Sequence, residues 1–409
     1  MNILTLAAQR ACTSCQMCAA ICPKNAICIE LDNEGFYRPK VDAKLCVDCG
    51  ICTKVCYKFD ETIESFGREH LSKTSLYAAS AKDSDVVKNT TSGGIADILA
   101  RQLLQDGYKC IGVVYDSDRD VAVDTIVDKD ADLFKFRGSK YIQSYTYDAF
   151  TDVAKYCKDQ KFAIFGTPCQ IYAVDKYLKQ RGVRDEHILI DLYCHGCPTL
   201  NVWKKYIKEV KEIILLDKVD NANFRSKVKG WGNFYVIVVV VVDGKPVFYS
   251  NNKNNDFFEL FFSDQVLNEA CNDCLLRSTL AYTDIRLGDF WGRRYVLDNK
   301  GVSAVSVVTT KGKEVFDEIA DKIYFKEESY SDFLPWQSWG KMHNPKPELR
   351  AVLLEQLSDP NIPLRQSVLT IYRQQSIKRK LVRYGKFFVH ALPIKVEKRI
   401  RWMYYRLHK

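Results

Sequence analysis

The sequence predicts a mixed α/β chain in two unequal parts. A small cysteine-stapled domain comes first, then a larger α/β domain with a mixed sheet and a helical C-terminal tail. Three observations predict this. Two copies of CxxCxxCxxxC crowd the first sixty residues, starting at Cys12 and Cys46. From Leu76 onward, short apolar runs alternate with stretches of helical period. From residue 331 the pattern is mainly helical and broken by prolines. The composition agrees: 409 residues, 47% hydrophobic and 27% charged, suit a globular protein and exclude disordered or collagen-like chains. The longest aliphatic run, residues 236–242, falls far short of the roughly 20 residues of a spanning helix.

In chain order, residues 1–60 carry the repeat and residues 61–75 read as a polar linker. Residues 76–330 form the main domain. Its first helix is expected behind Ser92, Gly93 and Gly94, where Ile95, Ile98, Leu99 and Leu103 fall at helical spacing. Residues 110–115, 162–165 and 188–193 read as strands. The last two are each followed by a loop and a helical stretch, which implies crossover helices. Residues 235–242, then Asp243 and Gly244, then residues 246–249 predict a hairpin. Residues 331–370 form a helical extension, and 371–409 a basic, aromatic tail that Pro393 divides into two helices.

Charge is distributed unevenly. The chain carries +9, but residues 371–409 hold twelve Lys and Arg against Glu397 alone, so the remainder sums to −2. A nucleic-acid enzyme would spread its basic residues over a binding face, and no nucleic-acid partner is expected. The tail suits three alternatives: peripheral contact with an anionic membrane, a packed terminal helix with solvated charges, or nucleic acid.

Sixteen cysteines are the unusual count, nine of them before residue 60. The first residues hold no long apolar core, so no secretory leader is expected and a cytoplasmic, reducing location is. Cysteines crowded into such a chain bind metal. Three cysteines two residues apart let one loop offer three thiolates to one face of a cubane, and the fourth comes from the other copy. This is the run of bacterial two-cluster ferredoxins. It assigns Cys12, Cys15, Cys18 and Cys56 to one [4Fe–4S] cluster, and Cys46, Cys49, Cys52 and Cys22 to a second. Pro23 closes the first run, while Tyr57 stands where the second proline would be. Structural zinc, the alternative, takes paired CxxC arms rather than a triple run.

Four further cysteines are dispersed. Cys169 follows the strand at 162–165, Cys194 follows the strand at 188–193, and Cys271 and Cys274 form a CxxC arm. Thiols at the carboxyl ends of neighbouring strands would point into one crevice. Spacing leaves open both a fourth-ligand arm and four ordinary thiols. Ser92, Gly93 and Gly94 at a helix start suit a phosphate, although Gly-Gly turns are common. The stretch RGSKYIQS, residues 137–144, suits a phosphate or an electron-rich ring, or is simply a solvated loop.

These stretches, with FRSKVKGW from Phe224 and DIRLGDFWG from Asp284, occur in one order. Together they make residues 1 to about 345 resemble the coenzyme F420 hydrogenase/dehydrogenase beta-subunit family fused to an N-terminal two-cluster ferredoxin. The resemblance implies a small bacterial-ferredoxin-like domain followed by a larger α/β flavin-binding domain that holds FAD and an iron–sulfur cluster. It implies that Cys169, Cys194, Cys271 and Cys274 hold a third [4Fe–4S] cluster. It makes Ser92, Gly93, Gly94, Ser139, Lys140, Tyr141 and Gln143 flavin-site candidates, with Lys140 stabilising the anionic reduced ring. Cys28, Cys110, Cys157 and Cys197 are left as buried small residues, Cys197 doubling as a substitute ligand.

The function expected is that of an iron–sulfur flavoprotein oxidoreductase. His195 is the one histidine inside a motif, and it either donates a proton near the site or supports Cys194. Ferredoxin or a deazaflavin coenzyme is the expected electron partner, with a small organic substrate. Two alternatives remain: an electron-transfer subunit serving a partner enzyme, and a scaffold whose clusters only staple the fold.

Overall fold

The computed structural model describes residues 2–4, 11–232, 238–241, 245–250, 255–377, 381–382, 385, 388–389 and 392–407. In the N-terminal region, strands β1 (Ile27–Leu31) and β2 (Tyr37–Val41) pair antiparallel, with Ile27 opposite Val41. Each cysteine run feeds one short helix, Met17–Ala20 or Ile51–Lys54. The repeat extends to backbone conformation. Ser14 and Asp48 have φ of 63° and 50°, and Gln16 and Gly50 have 64° and 73°. These left-handed positions bend the chain between successive cysteines.

The main domain is built on strands β3 (Ser75–Ala81), β4 (Lys109–Asp116), β5 (Val121–Val127), β6 (Ser144–Tyr145), β7 (Phe162–Phe165) and β8 (Ile188–Leu192). Strands β9 (Asn221–Asn223), β10 (Val238–Val241) and β11 (Lys245–Tyr249) form a separate antiparallel sheet. Strands β12 (Ile285–Asp289), β13 (Ser303–Val307) and β14 (Ile323–Glu327) return to the main sheet. Its nine strands run β14-β3-β13-β12-β8-β7-β4-β5-β6. The centre, β12-β8-β7-β4, is parallel, and so is β5-β6; the other pairs are antiparallel. The sheet is therefore mixed. The hairpin of β10 and β11 carries a register shift between Val239 and Val240. Its expected turn at Asp243 and Gly244, with residues 235–237 and 242, lies outside the described residues.

β7 is an unbroken apolar run and β8 is one but for Asp191, because helices cover both faces of the sheet. Ile188 and Ile190 pack on one side with Ile95, Leu99 and Phe316. Leu189, Phe162 and Ile164 pack on the other with Phe150, Val153, Ile171 and Leu178. Met17, Ile21, Val55 and Tyr57 of the N-terminal region join this second core. Residues 1–60 thus share a core with the main domain rather than hanging from a tether. Full burial of each large apolar side chain contributes about 1.5–3 kcal/mol.

Residues 61–75 hold a short helix, Arg68–Ser72, and reach the body where the Phe66 amide donates to the Ser278 carbonyl at 2.7 Å. Helices Pro347–Ser358 and Leu364–Arg373 bring Leu349, Leu353, Leu364 and Val368 onto helix Leu200–Ile214. The last helix, Ile394–Leu407, begins directly after Pro393. No helix among the described residues is long and apolar enough to cross a membrane.

Candidate functional site

The two copies of the repeat exchange cysteines across one another. Cys12, Cys15, Cys18 and Cys56 line one hollow together with Met17, Val55 and Tyr37. Cys22, Cys46, Cys49 and Cys52 line a second. Four thiols converging on one hollow make a donor set that fits a cubane. The first quartet packs on the body through Cys15, and the second is the more open: Cys18 and Cys52 are both buried, but Cys49 is exposed, as are the nearby side chains of Leu45 and Val47. Burial pushes the Cys15 thiol up to about 11, with Cys12 adding to the rise. Burial also raises Cys18 and Cys56 strongly. Such thiols keep their protons at neutral pH until a metal displaces them, so loading releases protons.

The dispersed cysteines meet because β7 and β8 are adjacent and parallel, with Phe165 opposite Ile190. Cys169 lies in the first turn of helix Pro168–Arg181, whose start is fixed by a capping box between Thr167 and Gln170. Cys194 leaves the end of β8. Residues 194–198 are tied to the CxxC arm by the Asn268 amide on the Cys197 carbonyl at 2.7 Å and by a bridge between Pro198 and Leu267. Cys169, Cys194 and Cys274 lie within electrostatic reach of one another, as do Cys194, Cys271 and Cys274. Cys197 reaches Cys271 and Cys194. Burial raises Cys194 to about 11 and Cys271 to about 12.

Two guanidinium groups oppose that rise at Cys194 and Cys274, those of Arg277 and Arg286. Arg286 is fully buried and bidentate on Asp191, at 2.8 Å through Nε. Arg277 donates to the carbonyls of Cys271 and Lys341. Positive charge is therefore placed where it favours the thiolate forms of these cysteines.

Cys15 joins the two regions: it lies within electrostatic reach of Cys169. The joint is held by Gln16. Its amide donates to the Ser144 carbonyl at 3.2 Å and accepts from the Thr146 and Tyr147 amides at 3.0 Å each. Thr146 Oγ1 donates to the Cys15 carbonyl at 2.9 Å, and the Leu275 amide donates to Tyr57 Oη at 3.1 Å.

The expected flavin residues are brought together only in part. Gly94 starts helix Ile95–Gln105 with φ 85°, and the Ser139 amide donates to Thr91 Oγ1 at 2.9 Å, placing the two loops side by side. Ser92 Oγ is buried without a hydrogen-bond partner, an opening for a polar ligand atom. Gly93 has a packing reason instead: a Cβ there would meet the Ala79 carbonyl at 2.3 Å and the Ser303 amide at 2.9 Å. The Lys140 ammonium turns away to the carbonyls of Lys135, Phe136 and Arg137, at 3.1–3.3 Å. Burial lowers Lys140 to about 7, against the pull of Asp124. Tyr141 packs on Phe258 and Phe261, and Gln143 accepts from the Tyr37 amide at 3.2 Å.

His195 sits in a closed network. Its ring nitrogens contact Ser338 Oγ at 3.0 Å and Asp264 at 2.7 Å, and Asp264 also pairs with His343 at 3.3 Å. Burial works against ionisation of Asp264, yet the two histidines hold its carboxyl well below the usual range. Of the four remaining thiols, Cys110 and Cys157 are buried as expected. Cys28 is not: it lies exposed on β1, where alternate residues face solvent. Cys197 is half-buried beside the dispersed set.

Sequence reasoning used FRSKVKGW and DIRLGDFWG only as markers and missed their chemistry. Lys227 donates to the carbonyls of Val87 and Ser92 at 2.5 Å each, so it is the lysine that attends the glycine turn. Arg225 pairs with Asp289, which also accepts from the Trp231 indole at 2.8 Å, and Trp231 stacks on Trp291 at 4.8 Å. Two tryptophans, each a few residues from a charged group in separate stretches, were the available signal.

No curated protein matches the chain. A solved structure of the F420-reducing [NiFe] hydrogenase complex from Methanosarcina barkeri, studied by xenon derivatisation, is similar at 17% identity. The match covers 75% of this chain and 93% of that one with a TM-score of 0.45. The family model for the C terminus of the coenzyme F420 hydrogenase/dehydrogenase beta subunit matches residues 159–332. That segment contains the dispersed cysteines and the Arg225–Asp289 pair but not the repeat. Residues 159–332 are therefore similar to the coenzyme F420 hydrogenase/dehydrogenase beta-subunit family.

Proposed function

We propose that the chain is an iron–sulfur flavoprotein oxidoreductase. In this reading it passes electrons between two ferredoxin-type [4Fe–4S] clusters, a third [4Fe–4S] cluster and FAD, and reduces or oxidises an organic or deazaflavin substrate. One observation carries the reading: two cysteine quartets line two cavities, and Cys15 of the inner one approaches Cys169 of the dispersed set. When bound, such groups supply one-electron storage at the cysteines and two-electron storage at the flavin.

The chain's own residues set the order of the sites. Cys49, Leu45 and Val47 open the outer quartet to a partner at the surface. Gln16 and Tyr57 hold the inner quartet against the body. Cys169, Cys194, Cys271 and Cys274 are the ligands at the third site, with Cys197 in reserve. Arg277 and Arg286 offset the charge gathered there. Ser92, Gly94 and Ser139, with Lys227 behind them, hold the anionic part of FAD. The exposed edge at Cys49 favours electron exchange with a protein such as ferredoxin, which keeps alive the reading of an electron-transfer subunit.

Anaerobically purified protein tests this. Iron and acid-labile sulfide of about 12 each per chain are expected, with extractable FAD that reduced ferredoxin or a reduced deazaflavin bleaches. Protein that binds neither iron nor flavin after reconstitution would refute it. Substrate turnover by the isolated chain separates the complete enzyme from the subunit.

A further inference from the structure

We propose that the C-terminal helix docks the protein on an anionic membrane surface, lying in the plane of the interface. Helix Ile394–Leu407 is attached to the body by its polar side. Lys398 donates to the carbonyls of Leu297 and Asp298 at 3.2 and 3.0 Å and to Asn299, and Glu397 is buried. The apolar side is the one left outside. Val396 and Met403, at i and i+7, are 43% and 49% exposed, and Tyr404, about 20° from the buried Glu397 at the edge of this face, is 54% exposed. At 100° per residue, Val396 and Met403 lie about 20° apart on the helix, and Lys398 lies roughly opposite them. A helix packed for stability alone would turn these groups over.

The preceding segment also exposes apolar side chains. Ile377, Leu381 and Phe388 fall at i, i+4 and i+11, and all three are exposed, Phe388 at 74%. Exposed apolar side chains thus recur along about thirty residues of the tail.

Charge names the occupant. Residues 371–409 carry twelve Lys and Arg and a single acid, Glu397, which is buried, so the segment is strongly cationic by sequence. A protein partner would be matched by mixed charges around an apolar centre. A strongly cationic segment with exposed apolar and aromatic side chains instead matches anionic headgroups above an acyl boundary. There Tyr404 and Phe388 sit at headgroup level while the long basic stems reach upward. Docking through this face leaves the outer cysteine quartet, at the other end of the chain, to its own partner.

The test is flotation of the full-length protein with vesicles of phosphatidylcholine alone or phosphatidylcholine with phosphatidylglycerol. Flotation is expected only with phosphatidylglycerol, and it should weaken as salt rises. The triple variant V396D/M403D/Y404D changes exposed side chains only, so it should keep its fold by circular dichroism and lose vesicle affinity by more than about tenfold. A second variant, I377D/L381D/F388D, checks the preceding segment by the same measure. Protein that stays in the soluble fraction with anionic vesicles at low salt overturns the proposal. So does equal flotation by both triple variants, since cations alone would then account for binding. Tighter retention by double-stranded DNA than by anionic vesicles at matched salt overturns it in favour of nucleic acid.

Discussion

The two copies of the cysteine repeat share a backbone and differ in what surrounds it. Both use a left-handed residue before the second cysteine, Ser14 or Asp48, and another after it, Gln16 or Gly50. In the first copy these positions carry side chains that are buried and bonded to the body: Ser14 accepts from Asn268 at 3.1 Å, and Gln16 clasps residues 144–147. In the second copy Asp48 is exposed and Gly50 has no side chain to offer. The spacing of cysteines therefore encodes the loop, and the residues between them encode which copy faces inward. This division gives the chain an inner site against the main domain and an outer site against solvent.

The largest expected effect follows from that asymmetry. Iron removal by a strong ferrous chelator should be biphasic, with about one third of roughly 12 irons lost first, from the outer quartet. Cys49→Ser should abolish the fast phase and leave a folded protein. Cys18→Ser should lose the inner site and soluble protein with it, because Cys18 belongs to a buried core and the small N-terminal region depends on its staples. A single-phase loss would mean that the two copies do not differ in access.

The dispersed set sharpens the comparison from the other side. Cys271→Ser combined with Cys274→Ser should lower iron from about 12 to about 8 per chain. Since Cys15 approaches Cys169, the inner site should also change its electron paramagnetic resonance signal through lost coupling, while the outer site keeps its own. An unchanged inner signal would separate the two regions.

What the sequence makes legible follows the range of each interaction. The grouping of Cys12, Cys15 and Cys18, and of Cys46, Cys49 and Cys52, around two hollows was legible because each triple lies within one loop, and the repeat itself pointed to the exchange of Cys56 and Cys22. Strand 162–165 and the alternation around it were legible because burial on both faces leaves a continuous apolar run. The convergence of Cys194, Cys271 and Cys274 needed the resemblance to a family, since the loop after β8 and the CxxC arm are far apart in sequence and meet through tertiary contacts such as the Pro198–Leu267 bridge. Lys227 was hidden for a similar reason. Its partner carbonyls at Val87 and Ser92 belong to another loop, so nothing near Lys227 marks it, whereas Lys140 looked suitable beside its serine and tyrosine. The docking of residues 1–60 was missed because Gln16 reads as an ordinary polar residue until its left-handed backbone and its partners are known.

A smaller effect tests the clasp itself. Gln16→Ala would leave the Thr146 and Tyr147 amides without their acceptor, and Thr146 is fully buried. An unmet buried donor costs about 1–3 kcal/mol, so chemical denaturation should show a loss in that range. The matching change in the outer copy, Gly50→Ala, costs only the left-handed strain of about 1–2 kcal/mol and breaks no bond to the body. The comparison predicts that Gln16→Ala, and not Gly50→Ala, speeds proteolysis between residues 61 and 67. Equal sensitivity would remove Gln16 as the orienting residue.

The smallest effect concerns Tyr57, which stands where the second run would place a proline. It occupies the first position of a short 3-10 helix, Tyr57–Phe59, a place where proline is structurally acceptable. The departure is therefore not forced by the backbone, and its reason lies in the ring. Tyr57 packs edge-on against Tyr172 at 6.2 Å and accepts from the Leu275 amide, next to Cys274. Tyr57→Phe keeps the packing and removes one acceptor, at a cost of about 1 kcal/mol. Tyr57→Pro removes both and should cost more, while leaving the ligand Cys56 in place. The telling measurement is the iron lost from the dispersed set under mild chelation, which should rise slightly in Tyr57→Phe and clearly in Tyr57→Pro. If Tyr57→Pro behaves like the parent chain, the tyrosine is not what fastens the inner copy to the third site, and Gln16 carries that contact alone.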